Sequence, residues 1–137
     1  KLIRPDLIPT LIQQCLGPNE VSVWNKKPKR DFIFLEDAAD IIVNLFSTNF
    51  TGILNFGTGI STSIGDICDI LEKCSGKKIF DKCIDVDGPQ NFKCDNSLIK
   101  SLINWSPKYN IEQGITKTFV EMSKWSSECQ WWKQKNG

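Results

Sequence analysis

The chain has 137 residues, 40% hydrophobic and 24% charged, with a formal net charge of +1. This suits one globular core and gives no global attraction to nucleic acid or acidic membranes. No apolar run reaches the roughly 18 residues of a membrane helix and no signal peptide is visible, so a cytoplasmic protein is expected.

Residues 6 to 16 carry Leu7, Leu11, Ile12 and Cys15 at helical spacing and end at Gly17-Pro18, which predicts a first helix. Val21-Ser22-Val23-Trp24 alternates like a short strand. The polar stretch Asn25 to Lys29 then leads to a second predicted strand, Arg30 to Leu35. Leu35, Ala38, Ala39, Ile42, Leu45 and Phe46 recur as one apolar stripe, which predicts an amphipathic helix. Glu36 and Asp37 fall in its first turn, where negative charge favours the positive end of the helix dipole.

Gly52 to Phe56 reads as a buried strand running into a Gly57-Thr58-Gly59 turn. Ser63 and Asp66 are spaced as a capping box for a helix ending near Ser75-Gly76. Lys78 to Cys83 is a predicted strand, and Asp85 to Pro89 a loop. A short helix is predicted from Asp95 to Leu102, with Pro107 barring continuation beyond Trp105. Asn110 caps a last helix in which Ile111, Ile115, Phe119, Met122, Cys129 and Trp132 form one seam. Alternating strands and helices argue for an α/β fold.

Six cysteines (Cys15, Cys68, Cys74, Cys83, Cys94 and Cys129) are dispersed, with no Cys-x-x-Cys pair and no histidine in the chain. Zinc sites draw on closely spaced pairs of these residues, so no metal site is expected. The cysteines are read as reduced, with Cys68 packing as a small hydrophobe on the apolar side of its helix. The chain starts at Lys1 and Met122 is its only methionine, which predicts a piece of a longer protein.

Three stretches carry a family pattern: Arg30-Asp31-Phe32-Ile33-Phe34-Leu35-Glu36-Asp37, Asn55-Phe56-Gly57-Thr58-Gly59, and Asn104-Trp105-Ser106-Pro107. Together they resemble the C-terminal portion of the NAD-dependent nucleotide-sugar epimerases/dehydratases, the extended short-chain dehydrogenases/reductases. The resemblance runs from about Arg4 to Trp125. It implies a small mixed α/β C-terminal portion of a Rossmann-type epimerase, with residues 1–137 forming one substrate-binding region. The N-terminal cofactor-binding sheet would lie before Lys1. The predicted strand at 52–56 and helix at 36–46 resemble elements that pack on that missing domain.

What the resemblance implies for the site is specific. Arg30, opening the Arg-Asp-Phe motif, would contact the diphosphate of a nucleoside-diphosphate sugar, using the forked, charge-assisted hydrogen bonds of a guanidinium. The strand Val21, Ser22, Val23 and Trp24 would line the nucleotide base with main-chain groups and an apolar wall. Trp24 either stacks on the base or fills the core. Two departures stand out. The loop Asn25 to Lys29 lacks the family's glycine, and Phe92 stands where a second arginine is expected, leaving Lys93 as the nearby cation. The segment from Asp95 to Leu102 resembles that of enzymes acting on GDP-sugars.

Gly57-x-Gly59-x-x-Thr62, with Asp81 downstream, imitates a dinucleotide fingerprint, but the flanking residues match the family's late strand-and-helix unit, so the glycines are read as a tight turn. Proton transfer in the family uses a tyrosine with a lysine four residues later. Tyr109 is the only tyrosine here and is followed at that spacing by Gln113. No catalytic residue is therefore assigned. NAD or NADP and the catalytic dyad are expected in the missing N-terminal Rossmann domain, a further partner of this chain, with a homodimer of the full-length protein left open. The alternative is a non-catalytic interaction module that kept the fold without a working site.

Overall fold

Capping chemistry sets where two helices begin in the computed structural model, which describes residues 6–85 and 87–128. Helix α1 spans Leu7–Leu16, α2 Leu35–Leu45, α3 Ile64–Ser75, α4 Ser97–Ile103 and α5 Ile111–Glu128. The capping box of α3 is formed as expected: Ser63 Oγ accepts from the Asp66 amide and Asp66 Oδ2 accepts from the Ser63 amide, both at 3.0 Å. At α5, Asn110 Oδ1 accepts from the Gln113 amide at 2.9 Å and Gln113 Oε1 accepts from the Asn110 amide at 3.0 Å. These reciprocal bonds satisfy donors that a helix start otherwise leaves orphaned.

The strands are short. β1 (Val21–Val23) pairs in parallel with β4 (Ile79–Asp81), and β2 (Lys29–Arg30) pairs antiparallel with β3 (Thr62–Ser63). Helices α1, α3 and α5 pack around β1–β4, burying Leu11, Ile12, Val21, Ile67, Leu71 and Ile115 among others. Each such side chain stabilises the fold by about 1.5–3 kcal/mol. Cys68 is fully buried there, and burial pushes its thiol up to about 11. The expected seam of α5 packs on this core through Ile111, Ile115, Phe119 and Met122; Cys129 and Trp132 lie outside the described residues. No helix among the described residues is long and apolar enough to cross a membrane.

Four expectations are corrected. The strand predicted for Arg30 to Leu35 pairs only at Lys29–Arg30, because its partner β3 is two residues long and Asp31 turns its carboxylate to another segment. The strand predicted at Gly52 to Phe56 forms no ladder with the described residues, and Ile53 is 92% exposed. Most of the stripe predicted for α2 points outward: Leu35 and Phe46 are 78% and 85% exposed and Ala39 and Ile42 are exposed too, while Leu45 packs partly buried beside the fully buried Asp37 and Ile41. Ile41 meets Ile99 of α4 and Trp105 in a second, small cluster. Asp37 accepts from the amides of Lys108 at 3.0 Å and Tyr109 at 3.2 Å, so docking on the 105–109 turn rotates the helix. Helix α4 also begins two residues late. Asp95 Oδ1 accepts from the Ser97 amide and hydroxyl, which makes Asp95 a turn residue ahead of the helix.

Candidate functional site

Arg30 sits on β2, where a neighbouring loop runs beside it. Both hydrogens of Nη1 donate to carbonyls, those of Lys29 and Pro89, each at 2.8 Å. A guanidinium has five N–H donors in a fixed fork. Among the described residues Nε and Nη2 have no partner, so one edge of the fork stays open while the other is anchored.

The same loop is stitched to the residues on either side of Arg30. Lys29 donates its amide to Gln90 and accepts from the Phe92 amide, at 2.8 and 3.0 Å. Ser61 Oγ bonds the Asn91 side chain and, at 3.3 Å, the Phe92 carbonyl. Lys93, exposed, follows directly. The fold thus brings the Arg30 strand and the Lys93 loop together.

The glycine-free stretch from Asn25 to Lys29 is held in place by helix α3. The Ile64 and Gly65 amides donate to the carbonyls of Pro28 and Lys26, both at 2.9 Å, while the Lys26 amide donates to Asp81 Oδ2 at 3.2 Å. A helix start presents free N–H groups, and here they fix a loop that contains no glycine.

In β1, Val21 and Val23 bury their side chains in the core, so they can offer a ligand only main-chain groups. The Ser22 amide donates to Gln14 Oε1 at 3.3 Å. The Val23 and Trp24 carbonyls accept from Lys82 and Ile84, at 2.9 and 2.7 Å. Trp24 is 65% exposed, which removes core filling as its role and leaves its ring free for a flat partner.

Asp31 organises the turn that imitates a dinucleotide fingerprint. Its Oδ1 accepts from the Thr58 amide at 2.9 Å and the Thr58 hydroxyl at 2.5 Å, and its Oδ2 from the Gly59 amide at 2.8 Å. Oδ2 also accepts from the Cys94 amide at 3.1 Å. The amides that would cradle a pyrophosphate are therefore engaged by the protein's own carboxylate, and the turn does not fit a dinucleotide. Gly59 adopts φ +75°, a conformation that strains residues with a Cβ. A Cβ on Gly57 would lie 2.6 Å from Cys94 Cβ. Asp81, the other half of the imitation, accepts from the Lys26 and Cys83 amides. Asp31 had no assigned role in the sequence; the signal was a carboxylate between Arg30 and an apolar run, which must find donors when it is taken out of water.

A separate cavity of about 680 Å³ lies between residues 32–36 and α5, walled by Phe32, Phe34, Ile111, Ile115, Met122 and Trp125. It contains none of Val21, Ser22, Val23, Trp24, Arg30 or Lys93. On its rim Tyr109 meets a lysine after all, with Lys117 Nζ 3.2 Å from the phenol oxygen. Helix α5 supplies that lysine at a spacing a four-residue search passes over. Glu36 closes the group by accepting from Tyr109 at 2.7 Å and from Lys117 at 2.6 Å. These bonds, the one to Lys117 first, hold Glu36 below its usual range, and the bond to Glu36 raises Lys117. Glu36 and Lys117, which both line the cavity, are thus paired with each other.

No family model matches the chain. A GDP-L-colitose synthase from Yersinia pseudotuberculosis is 32% identical over an alignment 124 positions long that covers 82% of this chain and 39% of that enzyme. A UDP-glucuronate 4-epimerase from Thermodesulfobacterium geofontis is 32% identical over 103 residues, 72% of this chain and 30% of that enzyme. Among solved structures, a NAD-dependent NDP-hexosamine 5,6-dehydratase involved in tunicamycin biosynthesis superposes with a TM-score of 0.78 at 29% identity, covering 90% of this chain and 41% of its own. A UDP-glucuronic acid 4-epimerase from Bacillus cereus, solved as a mutant with a fluorinated UDP-sugar and NAD, gives 0.77 at 25% identity, with 89% and 41% covered.

These matches define a mixed α/β portion of a Rossmann-type epimerase. The chain belongs with the nucleotide-sugar epimerases/dehydratases, the extended short-chain dehydrogenases/reductases, and spans about two-fifths of the length of the first of these relatives.

Proposed function

We propose that residues 1–137 form the substrate-binding C-terminal region of a cytoplasmic NAD(P)-dependent nucleotide-sugar epimerase or dehydratase. The observation that carries this reading is the anchored Arg30 fork, with Nη1 held by two carbonyls and the opposite edge open. Such a side chain has already lost much of its rotamer freedom, so less is lost when it closes on a phosphate. In this reading Arg30 grips the diphosphate of a nucleoside-diphosphate sugar. Lys93, on the adjoining loop, adds a point charge, and the main chain of Val21 to Trp24 with the exposed Trp24 ring flanks the base.

The cofactor and the proton-transferring dyad belong to an N-terminal Rossmann domain outside this chain, and when bound there the nicotinamide supplies hydride chemistry. This chain's own task is to hold and orient the sugar nucleotide. The occupied turn at Thr58 and Gly59 supports that division of labour.

One observation favours the alternative of a non-catalytic module: Phe92, where a second cation is expected, is 53% exposed beside Arg30's strand. Arg30→Lys in the intact protein separates the two. Charge-assisted hydrogen bonds are worth roughly 1.5–3 kcal/mol each, so losing one should raise the dissociation constant for a nucleoside diphosphate about ten- to hundredfold. The melting temperature and NAD(P) affinity should stay level. Unchanged nucleotide affinity with a lowered melting temperature would make Arg30 structural and favour the module.

A further inference from the structure

We infer that Asp31 is a positioning residue, holding the Arg30 strand and the Lys93 loop in the register that a diphosphate site requires. The inference rests on the proposed role of Arg30, but its structural half stands on its own geometry. The Asp31 carboxylate accepts four hydrogen bonds, from the Thr58 amide and hydroxyl, the Gly59 amide and the Cys94 amide. An ionised carboxylate offers about four lone-pair sites and no donor, so its capacity is filled. The donors come from segments 27 and 63 residues away, and a single side chain therefore ties three stretches of chain together.

The residues either side of this junction leave it little freedom. Gly57 lies so close that a Cβ there would approach Cys94 Cβ to 2.6 Å and Asp31 Oδ2 to 3.1 Å. Asn96, a buried side chain, donates Nδ2 to the Gly57 carbonyl at 3.1 Å from the far side. The loop is then gripped at three successive residues: by the Lys29 main chain, the Arg30 guanidinium and, just past the strand, the Asp31 carboxylate. Of these, only Asp31 also fixes the turn at Thr58 and Gly59. An amide in its place would turn an NH₂ group toward backbone N–H donors, so Asp31→Asn should release one side of the junction without changing its size.

The experiment uses the intact protein and three measurements: amide hydrogen exchange by residue, affinity for UDP and GDP, and melting temperature. In Asp31→Asn, exchange should accelerate at least about tenfold on the side that the NH₂ group faces, either at Thr58 or at Gly59 and Cys94, with amides of α3 and α5 unchanged. Affinity for the preferred diphosphate should fall roughly tenfold although Arg30 and Lys93 are intact, the scale of losing one charge-assisted contact. Thr58→Val removes the hydroxyl's bond to Asp31, and with it the hydroxyl's bond from the Ile60 amide, while keeping the Thr58 amide bond; it gives a smaller change in the same direction, which serves where Asp31→Asn does not fold. Unaltered exchange at all three of Thr58, Gly59 and Cys94 overturns the inference. Faster exchange with unaltered affinity, in a protein that Arg30→Lys does weaken, makes Asp31 a structural clamp alone and overturns the positioning role. If Arg30→Lys also leaves affinity unaltered, the diphosphate reading fails and the positioning role falls with it.

Discussion

The two halves of this molecule treat their apolar residues in opposite ways. Around β1–β4, helices α1, α3 and α5 close a core in which Ile12, Ile67, Cys68 and Leu71 are fully buried. Around α2 and α4 the enclosed cluster among the described residues is Ile41, Ile99 and Trp105, with Ile33, Leu45, Leu54 and Ile103 partly buried against it, while Leu35, Val43, Phe46, Ile53 and Phe56 face outward. Periodicity along a helix therefore says that a face is built for burial, and leaves open whether the covering surface belongs to the same stretch of chain. Here the covered half supplies stability. The uncovered half leaves large apolar side chains exposed, which fits its proposed place beside a Rossmann domain.

The largest expected effect sharpens the closed side. Leu71→Ala should destabilise the chain by about 2–5 kcal/mol, the usual range for deleting a fully enclosed leucine, read as a fall in the urea midpoint. A loss below about 1 kcal/mol, within the range of small surface effects, would mean that this core is as loose as the other half.

The cap of α3 comes next. Ser63→Ala should cost about 0.5–2 kcal/mol. This cap also has a pH signature, because the bonds from Ser63, that of its side chain first, lower the Asp66 carboxyl. A carboxyl lowered in the folded state adds stability above its unfolded value near 4, and that stability is lost as pH falls through the folded value. The stability gap between the native chain and Asp66→Asn should therefore be full at neutral pH and close in acid. A gap that widens in acid would show that Asp66 is not acting as a bonded carboxylate.

The smallest change in stability belongs to the open side. Phe46→Ser, at the exposed end of α2, should shift stability by no more than about 0.5 kcal/mol, yet reduce self-association of the lone chain in sedimentation. Apolar patches beyond a few hundred Å² are unusual on monomers, and Phe46 is one of the most exposed apolar side chains here. A loss as large as that at Leu71 would erase the contrast between the halves.

What could be read from the residues follows the range of the forces involved. Helices α1, α3 and α5 were legible because a stop at Gly17, a capping box at Ser63 and a cap at Asn110 act within four residues of themselves. The strand at 52–56 and the facing of α2 were not, since each depends on what lies opposite. Asp37 shows the difference plainly. In the sequence it is a first-turn charge; in the fold it binds amides 71 and 72 residues away, and that choice decides which side of α2 is buried. Arg30 and Lys93 were named from resemblance, and the fold brings their segments together. Asp31, which joins them, makes contacts up to 63 residues away that no local pattern announces.

The triple grip of Lys29, Arg30 and Asp31 on the loop from Pro89 to Cys94 has a consequence for how such a protein can vary. Inserting or deleting one residue there would disturb a main-chain pair, a guanidinium contact and a carboxylate contact together, so the loop's length is constrained. The side chains of Phe92 and Lys93 are far less constrained, because both are exposed and the described bonds at Phe92 use only main-chain atoms. Descendants of this chain can therefore trade residues at these two positions to suit another ligand while keeping the loop in register.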